Sequence, residues 1–172
     1  MKTGLAVFLF AAFAFAQDQT AITAAESACG PQNVHFEVKR DSSRSVPQAE
    51  AGQALVVVVQ DIGQTSCLGT CLTTRIGLDG AWVGAGQNNS YVSFPVQPGE
   101  HHLCANWQSR FVSLSRMVAL AHFTAEAGRV YYFRTRVFGG REQNFLDLDA
   151  LDSDQGRLLV ASYPASVSHP SK

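Results

Sequence analysis

The sequence lacks an excess of charge of either sign. Its 172 residues include 13 lysines and arginines against 14 aspartates and glutamates, a formal net charge of −1. Proteins that bind nucleic acid or an anionic membrane surface need a field of basic residues, which this composition does not provide. Charged residues make up only 16% of the chain and hydrophobic residues 46%, which excludes a disordered polyelectrolyte. We therefore expect one folded domain that binds no nucleic acid.

The sequence also lacks the common catalytic motifs. It has no G-x-S-x-G nucleophile elbow, no H-E-x-x-H zinc motif, no Walker loop and no dinucleotide-binding fingerprint. A catalytic triad of Ser, His and Asp that are distant in the sequence stays an open alternative, because triads are defined by geometry and not by order along the chain. We expect a protein that is not an enzyme and that needs no cofactor.

No hydrophobic run is long enough to span a bilayer as a helix. The apolar run from Gly4 to Ala16 has thirteen residues, whereas a membrane-spanning helix needs about 20. It follows the cationic Lys2 and ends in small residues directly before the polar Gln17. This pattern predicts a signal peptide over residues 1–16, cleaved between Ala16 and Gln17, and hence export to the periplasm or the extracellular space without a membrane span.

Four cysteines lie beyond this signal: Cys29, Cys67, Cys71 and Cys104. Export permits disulfides, and four cysteines allow three pairings between which the sequence does not choose. Glu26 stands where a lipoprotein motif requires an aliphatic residue, so we predict no lipid anchor on Cys29. Alternatively, Cys67 and Cys71 form a C-x-x-x-C pair that, with a distant histidine, suits copper, zinc or thiol redox chemistry.

From Gln32 onward, short strand-like runs alternate with turn residues. Val34, Phe36 and Val38 share one face of the first run, the two-residue period of a half-buried strand. The run from Ala54 to Val59 is continuously apolar and β-branched, which predicts a central strand covered on both faces. Further runs follow at 73–78, 81–84, 90–96, 101–107, 117–123 and 129–138, and a shorter one at 144–148. These spacings predict an all-β, antiparallel Ig-like sandwich of about seven to eight strands.

Turn and cap signals mark the boundaries of this domain. Asp79-Gly80 between two strand-like runs is typical of a type I′ hairpin. Asp152 can cap a short C-terminal helix that ends near Ser162, although Gly156 disfavours a helix there. We predict an N-terminal extension over 17–31, the sandwich over 32–163 and an extended tail over 164–172.

The order of these turns resembles a known pattern. Ile76 to Gly84 with its Asp-Gly turn, the strand Tyr91 to Val96, and Pro98-Gly99-Glu100-His101 resemble the PEGA-type β-sandwich modules. Together with Ala125 to Tyr132, they also resemble an uncharacterised bacterial family of exported domains of unknown function. Ala85-Gly86-Gln87 stands where PEGA modules usually carry Thr-Pro, which favours the uncharacterised family. The resemblance covers roughly 34–160, implies a PEGA-like sandwich fold and assigns no functional residue.

Two groups of side chains are candidate ligand sites. His101, His102, Cys104 and His122 include soft metal ligands, and His102 and Cys104 share one face of a strand. Polar residues at a strand start, and Cys104 in a disulfide, explain the same pattern without a metal. Four carboxylates could hold Ca²⁺ but lack the EF-hand spacing, and strand-edge charge with helix capping explains them equally well. These carboxylates are Asp147, Asp149, Asp152 and Asp154.

Three aromatic residues offer a further surface. Trp82, Tyr91 and Trp107 could line a platform for a glycan or a peptide, but aromatic residues on strands more often belong to the core. The sequence therefore predicts an exported, non-enzymatic β-sandwich that acts as a binding or structural module of a bacterial cell envelope. Its expected partner is an unidentified protein or glycan. The alternative is an exported metal-binding or thiol-redox protein that uses Cys67, Cys71 and a histidine.

Overall fold

The computed structural model describes residues 27–41, 43, 47–61, 73–109, 117–139 and 144–171. These residues form ten strands and one helix. The strands are β1 (His35–Asp41), β2 (Ala54–Gln60), β3 (Thr73–Leu78), β4 (Ala81–Gln87), β5 (Ser90–Val96), β6 (Gly99–Gln108), β7 (Val118–Ala125), β8 (Val130–Gly139), β9 (Asn144–Leu151) and β10 (Ala165–Ser171). The helix, α1, runs over Ser153–Ser162 between β9 and β10. The predicted signal peptide, including Ala16 and Gln17, lies outside the described residues.

The strands form two sheets, and the predicted all-β sandwich is confirmed. One sheet has six strands in the order β1-β10-β5-β2-β8-β9, and the other has four in the order β4-β3-β6-β7. Most neighbours are antiparallel, as predicted. Two pairs are parallel, β2 with β8 and β10 with β5. These parallel pairs join strands that are distant in the sequence, which is why the local turn signals did not predict them.

Strand β2 is buried on both faces, as its continuous apolar sequence predicts. Val56 and Val58 belong to the core between the two sheets, which also contains Phe94, Leu103 and Phe133. The alternate residues of β2 pack on the other face, in a second cluster that contains residues of α1. This cluster comprises Leu55, Val57, Val59, Tyr91, Tyr132, Leu159 and Val160. The molecule therefore has three layers here: the four-stranded sheet, the six-stranded sheet and α1. Strand β2 lies in the middle layer.

Tight turns direct the chain within and between the sheets. Asp79 and Gly80 have φ values of 49° and 86°, as the predicted type I′ hairpin between β3 and β4 requires. Asn88 and Asn89 also have positive φ values, of 38° and 39°. Asparagine tolerates this region because its short polar side chain can bond locally. The second turn carries the chain from β4 in one sheet to β5 in the other.

Helix α1 begins where the sequence predicts. Asp152 accepts hydrogen bonds from the backbone N–H groups of Asp154 and Gln155, each at 2.9 Å. These bonds satisfy donors that have no partner within the helix. Gly156, which disfavours a helix by propensity, is needed for packing. A Cβ built on it would lie 2.2 Å from Cγ of Tyr132 on β8, so only glycine lets the helix approach the sheet this closely.

The segment 164–172, predicted as an extended tail, contributes a strand to the larger sheet. β10 pairs with β1 over seven residues, from Ala165↔Asp41 to Ser171↔His35. On its other side, Tyr91 N–H donates to the Pro164 carbonyl at 3.1 Å. Among the described residues, no helix has both the length and the apolar composition to cross a membrane.

Candidate functional site

The outer face of the four-stranded sheet is covered on one half by the N-terminal segment, residues 27–34. A disulfide between Cys29 and Cys104 of β6 attaches this segment to the sheet, with the two Cα atoms 5.2 Å apart. Gly77 on β3 makes the close approach feasible, because a Cβ there would lie 2.7 Å from the Ala28 carbonyl oxygen. Residues predicted as a separate extension therefore pack directly on the sandwich.

Arg75 on β3 lies beneath the N-terminal segment and is only 2% exposed. Its guanidinium donates to the carbonyls of Gln32 and Val34 at 3.1 and 2.7 Å, and to the side-chain oxygen of Gln32 at 3.2 Å. It also donates from Nε and from a terminal nitrogen to the side-chain oxygen of Asn106. All five N–H groups thus meet neutral acceptors, and burial lowers the pKa of Arg75.

Trp82 on β4 completes this contact. The Arg75 guanidinium carbon lies 4.4 Å from the centroid of the Trp82 ring, a cation–π distance. The indole Nε1–H donates to the Pro31 carbonyl at 2.8 Å. Gly30 lies against the ring, where a Cβ would come within 2.5 Å of it. Trp82 therefore holds the N-terminal segment and does not form a platform.

An ionic pair connects the β3–β4 hairpin to β6. His101 Nδ1 lies 2.7 Å from Oδ2 of Asp79, and its Nε2 lies 2.7 Å from the Gln97 carbonyl. Since both acceptors lack a proton, the imidazole can donate from both nitrogens only when it is protonated. Burial alone would lower the pKa of His101, but the bonds to Asp79 and Gln97 and the Asp79 charge raise it overall.

Asp79 is the other half of this pair. Burial alone would raise the pKa of the Asp79 carboxyl, but the backbone N–H of His102, bonded to Oδ1 at 2.9 Å, and His101 together lower it. The two shifts favour the charged forms of both side chains. The pair therefore connects the β3–β4 turn to the start of β6. Both ring nitrogens of His101 are bonded, so neither is free to bind a metal.

A shallow pocket lies on the uncovered half of the same outer face. It has a volume of about 220 Å³ and is lined by His102, Leu103, Leu120, Ala121 and His122; we call it the histidine pocket. His102 on β6 stands directly opposite His122 on β7, and the two ring centroids are 5.0 Å apart. Leu120 is 38% exposed at its edge. The pocket thus combines two imidazoles with an exposed apolar wall.

The structure divides the histidine–cysteine group that the sequence suggested. His101 and His102 are consecutive on a strand, so their side chains point to opposite faces. Cys104 is oxidised in the disulfide and offers no thiolate. His102 and His122 remain together. In the part of the chain that the structure describes, no three His, Cys, Asp or Glu side chains lie close enough to hold an ion.

The other candidate residues lie apart from one another. Tyr91 is 3% exposed, within the core, and Trp107 lies on β6, away from Trp82. Asp149 pairs with Arg136 at 2.6 Å, and Asp152 caps α1, which agrees with the reading of the acidic run as edge charge and helix capping. Cys67 and Cys71 lie outside the described residues.

Sequence analysis missed Arg75 and Asn106. Both are polar residues within strands that resemble ordinary alternating runs, and the partners of Arg75 are 31 to 43 residues away. The one available signal was a charged residue flanked by Thr74 and Ile76 on a strand that is otherwise uncharged.

Comparison with known proteins identifies the family of this chain but no function. Residues 50–147 match the family described as "Protein of unknown function (DUF2846)". No curated protein and no solved structure matches the chain significantly. The family match agrees with the predicted uncharacterised family, while the PEGA-like pattern stays a prediction. Because the match covers more than half of the sequence, the chain belongs to the DUF2846 family of proteins of unknown function.

Proposed function

We propose that the protein is an exported, non-enzymatic binding module of a bacterial cell envelope, and that the histidine pocket contacts its partner. The observation that carries the proposal is the exposure of apolar side chains beside this pocket. Leu120 and Val118, both on β7, are each 38% exposed on the half of the outer face that the N-terminal segment leaves uncovered. Adjacent exposed apolar side chains around a concave site are a feature of interaction surfaces.

The covered half of this face supports the same proposal. The disulfide, the Arg75 contacts and the Trp82 contact hold the N-terminal segment in one position beside the histidine pocket. A binding surface on rigid elements loses less conformational entropy when its partner binds. The partner is a protein or a glycan, and the proposal includes no catalytic step.

Site-specific photo-crosslinking tests this proposal. A benzophenone amino acid replaces Leu120 in the full chain, and the matched control carries it at Leu158, which is 60% exposed on α1 behind the other sheet. We expect a discrete adduct from position 120 in intact cells that express the chain, and none from position 158. Equal adducts from both positions, or none from position 120, would contradict the proposal.

Export is the second part of the proposal. It is supported by the signal-like residues 1–16 and by the disulfide, since such bonds persist mainly in oxidising compartments. N-terminal sequencing of protein from the envelope fraction should begin at Gln17. Protein that keeps Met1 and stays in the cytosolic fraction would contradict export.

The thiol-redox or metal-binding alternative depends on Cys67 and Cys71. Because Cys29 and Cys104 are bonded to each other, the other two cysteines can pair within the chain only with one another. A free-thiol count on the denatured, unreduced protein, with bound metal measured alongside, distinguishes this alternative from a structural role of the cysteines. Zero thiols, without bound metal, favours a structural role for all four cysteines. Two thiols with one metal ion per chain would favour the alternative.

A further inference from the structure

The geometry of the histidine pocket points to a further property, a metal site. We propose that His102 and His122 form a two-histidine chelate for a divalent transition-metal ion, Cu²⁺ above all. The proposal deepens the binding role, because it concerns the same pocket. A metal titration needs no partner, however, so its failure would leave the proposed partner binding untouched.

The backbone register places the two imidazoles unusually close. His102 exchanges both of its backbone hydrogen bonds with Asp79: its N–H bonds Oδ1 and its carbonyl accepts from the Asp79 N–H at 3.0 Å. Its backbone groups therefore face β3 and turn away from β7. His102 and His122 accordingly form a non-hydrogen-bonded cross-strand pair, the class in which side chains stand closest, with Cα atoms about 4.5 Å apart.

The distance between the rings suits a shared ion. A metal ion lies about 2.0–2.1 Å from an imidazole nitrogen, and so roughly 3 Å from the centre of that ring. Two imidazoles on one ion at a right or tetrahedral angle then have centroids about 4.5–5 Å apart, by the same bond length. The observed separation is 5.0 Å, with the ring planes inclined by 45°.

The ring nitrogens are available for an ion. Neither His102 nor His122 makes a side-chain hydrogen bond to any residue that the structure describes, in contrast to His101, whose two nitrogens are both bonded. The terminal ring torsion of histidine is broad, so a nitrogen of each ring can turn towards a common point at little cost.

The chemistry of the donors selects the ion. Imidazole suits copper, zinc and nickel, and affinity among these ions is highest for Cu²⁺. Two protein ligands leave the other coordination positions open to water or to a donor group of a bound partner. The exposed Leu120 provides an apolar edge that limits access of water to one side of the site.

Titration of the full mature chain with Cu²⁺ alone, and separately with Zn²⁺ alone, tests the site at neutral pH. We expect one Cu²⁺ per chain, with an electron paramagnetic resonance spectrum that shows two nitrogen ligands, and weaker binding of Zn²⁺. His102→Ala or His122→Ala should weaken Cu²⁺ binding by roughly tenfold or more, because the remaining imidazole loses the chelate advantage. Each variant should also remove one nitrogen coupling.

Two controls keep the result specific. His169→Ala removes an exposed imidazole from β10 in the other sheet and should leave Cu²⁺ binding unchanged. Cys67→Ser with Cys71→Ser excludes thiolate ligands and should also retain the two-nitrogen signal. The proposal fails if folded wild-type protein shows no saturable Cu²⁺ binding, or if His102→Ala and His122→Ala, with unchanged thermal unfolding, bind Cu²⁺ as wild type does.

Discussion

At the scale of single residues, the most consequential one is Arg75. A buried guanidinium usually faces a carboxylate, but here its five donors meet two backbone carbonyls and two side-chain amides. Neutral acceptors satisfy the hydrogen bonds without a second buried charge. Arg75, which lies on β3, thereby links the N-terminal segment, through Gln32 and Val34, to β6, through Asn106.

Replacement of Arg75 tests this role. Arg75→Met keeps much of the apolar volume but leaves the oxygens of Gln32, Val34 and Asn106 without their donors. We expect a loss of about 1–3 kcal/mol in the free energy of unfolding, the usual cost of buried unsatisfied polar groups. Denaturant unfolding measures it, and Arg157→Met on the exposed side of α1 is the matched control. Equal midpoints for the two variants would contradict this account.

The Asp79–His101 pair makes stability depend on pH. The pKa of His101 is raised above its ordinary value of 6.5, so its contribution is complete below that pH and is lost as the pH rises through the higher folded value. The pKa of Asp79 is lowered below 3.8, so its contribution is present above that pH and is lost on acidification. The pair therefore stabilises the fold most between pH 3.8 and pH 6.5, where both side chains carry their charges.

Unfolding measured across this range checks the prediction. The free energy of unfolding of the wild type should decline as the pH rises above 6.5. Asp79→Asn is the control, because asparagine tolerates the positive φ of this turn position and can still accept from His102. It removes the charge and replaces the oxygen that accepts from His101 with an NH2 group, so nothing at this position favours the protonated imidazole and we expect a shallower decline. An identical pH profile for both proteins would exclude the pair as its source.

At the scale of elements, the position of α1 depends on the absence of one side chain. Gly156→Ala would gain up to about 1 kcal/mol in helix propensity, yet its Cβ would lie 2.2 Å from Cγ of Tyr132. Overpacking of this kind typically costs about 1–3 kcal/mol, so we expect a net destabilisation. Thermal unfolding measures it. The cost should shrink when Tyr132→Ala is added, because alanine removes the Cγ and Cδ1 atoms that the new Cβ would meet, and a cost independent of Tyr132 would contradict the packing explanation.

The elements also show how far the sequence could predict this molecule. The alternation in β1, the continuous valines of β2 and the Asp79-Gly80 turn are local signals, and the structure confirms all three. Strand β2 pairs with β8 in parallel, from Leu55↔Val130 to Gln60↔Thr135. No local signal in the sequence predicts this pairing, because the two strands are far apart along the chain. The histidine pocket was predictable only in part, because the opposition of His102 and His122 requires the register of β6 and β7.

At the scale of the whole molecule, the Cys29–Cys104 disulfide closes a loop over a sequence separation of 75. The chain-entropy relation gives a stabilisation of about 4 kcal/mol for a loop of this length. We expect Cys29→Ser with Cys104→Ser to lose free energy of unfolding of about this size, measured by denaturant titration. Cys67→Ser with Cys71→Ser is the comparison pair. A double variant at 29 and 104 as stable as wild type would contradict the structural role of the bond.

The place of β10 in the larger sheet has a consequence for biosynthesis. Within the described residues, β1 has one sheet neighbour, and that neighbour is the final strand in chain order. Ribosomes add about 5–20 residues per second, so on the order of ten seconds separate the synthesis of Asp41 from that of Ala165. During this interval β1 lacks the strand with which it pairs in the described part of the chain. The six-stranded sheet can therefore be completed only after β10 has been synthesised, so β1 joins it later than its early place in the chain suggests.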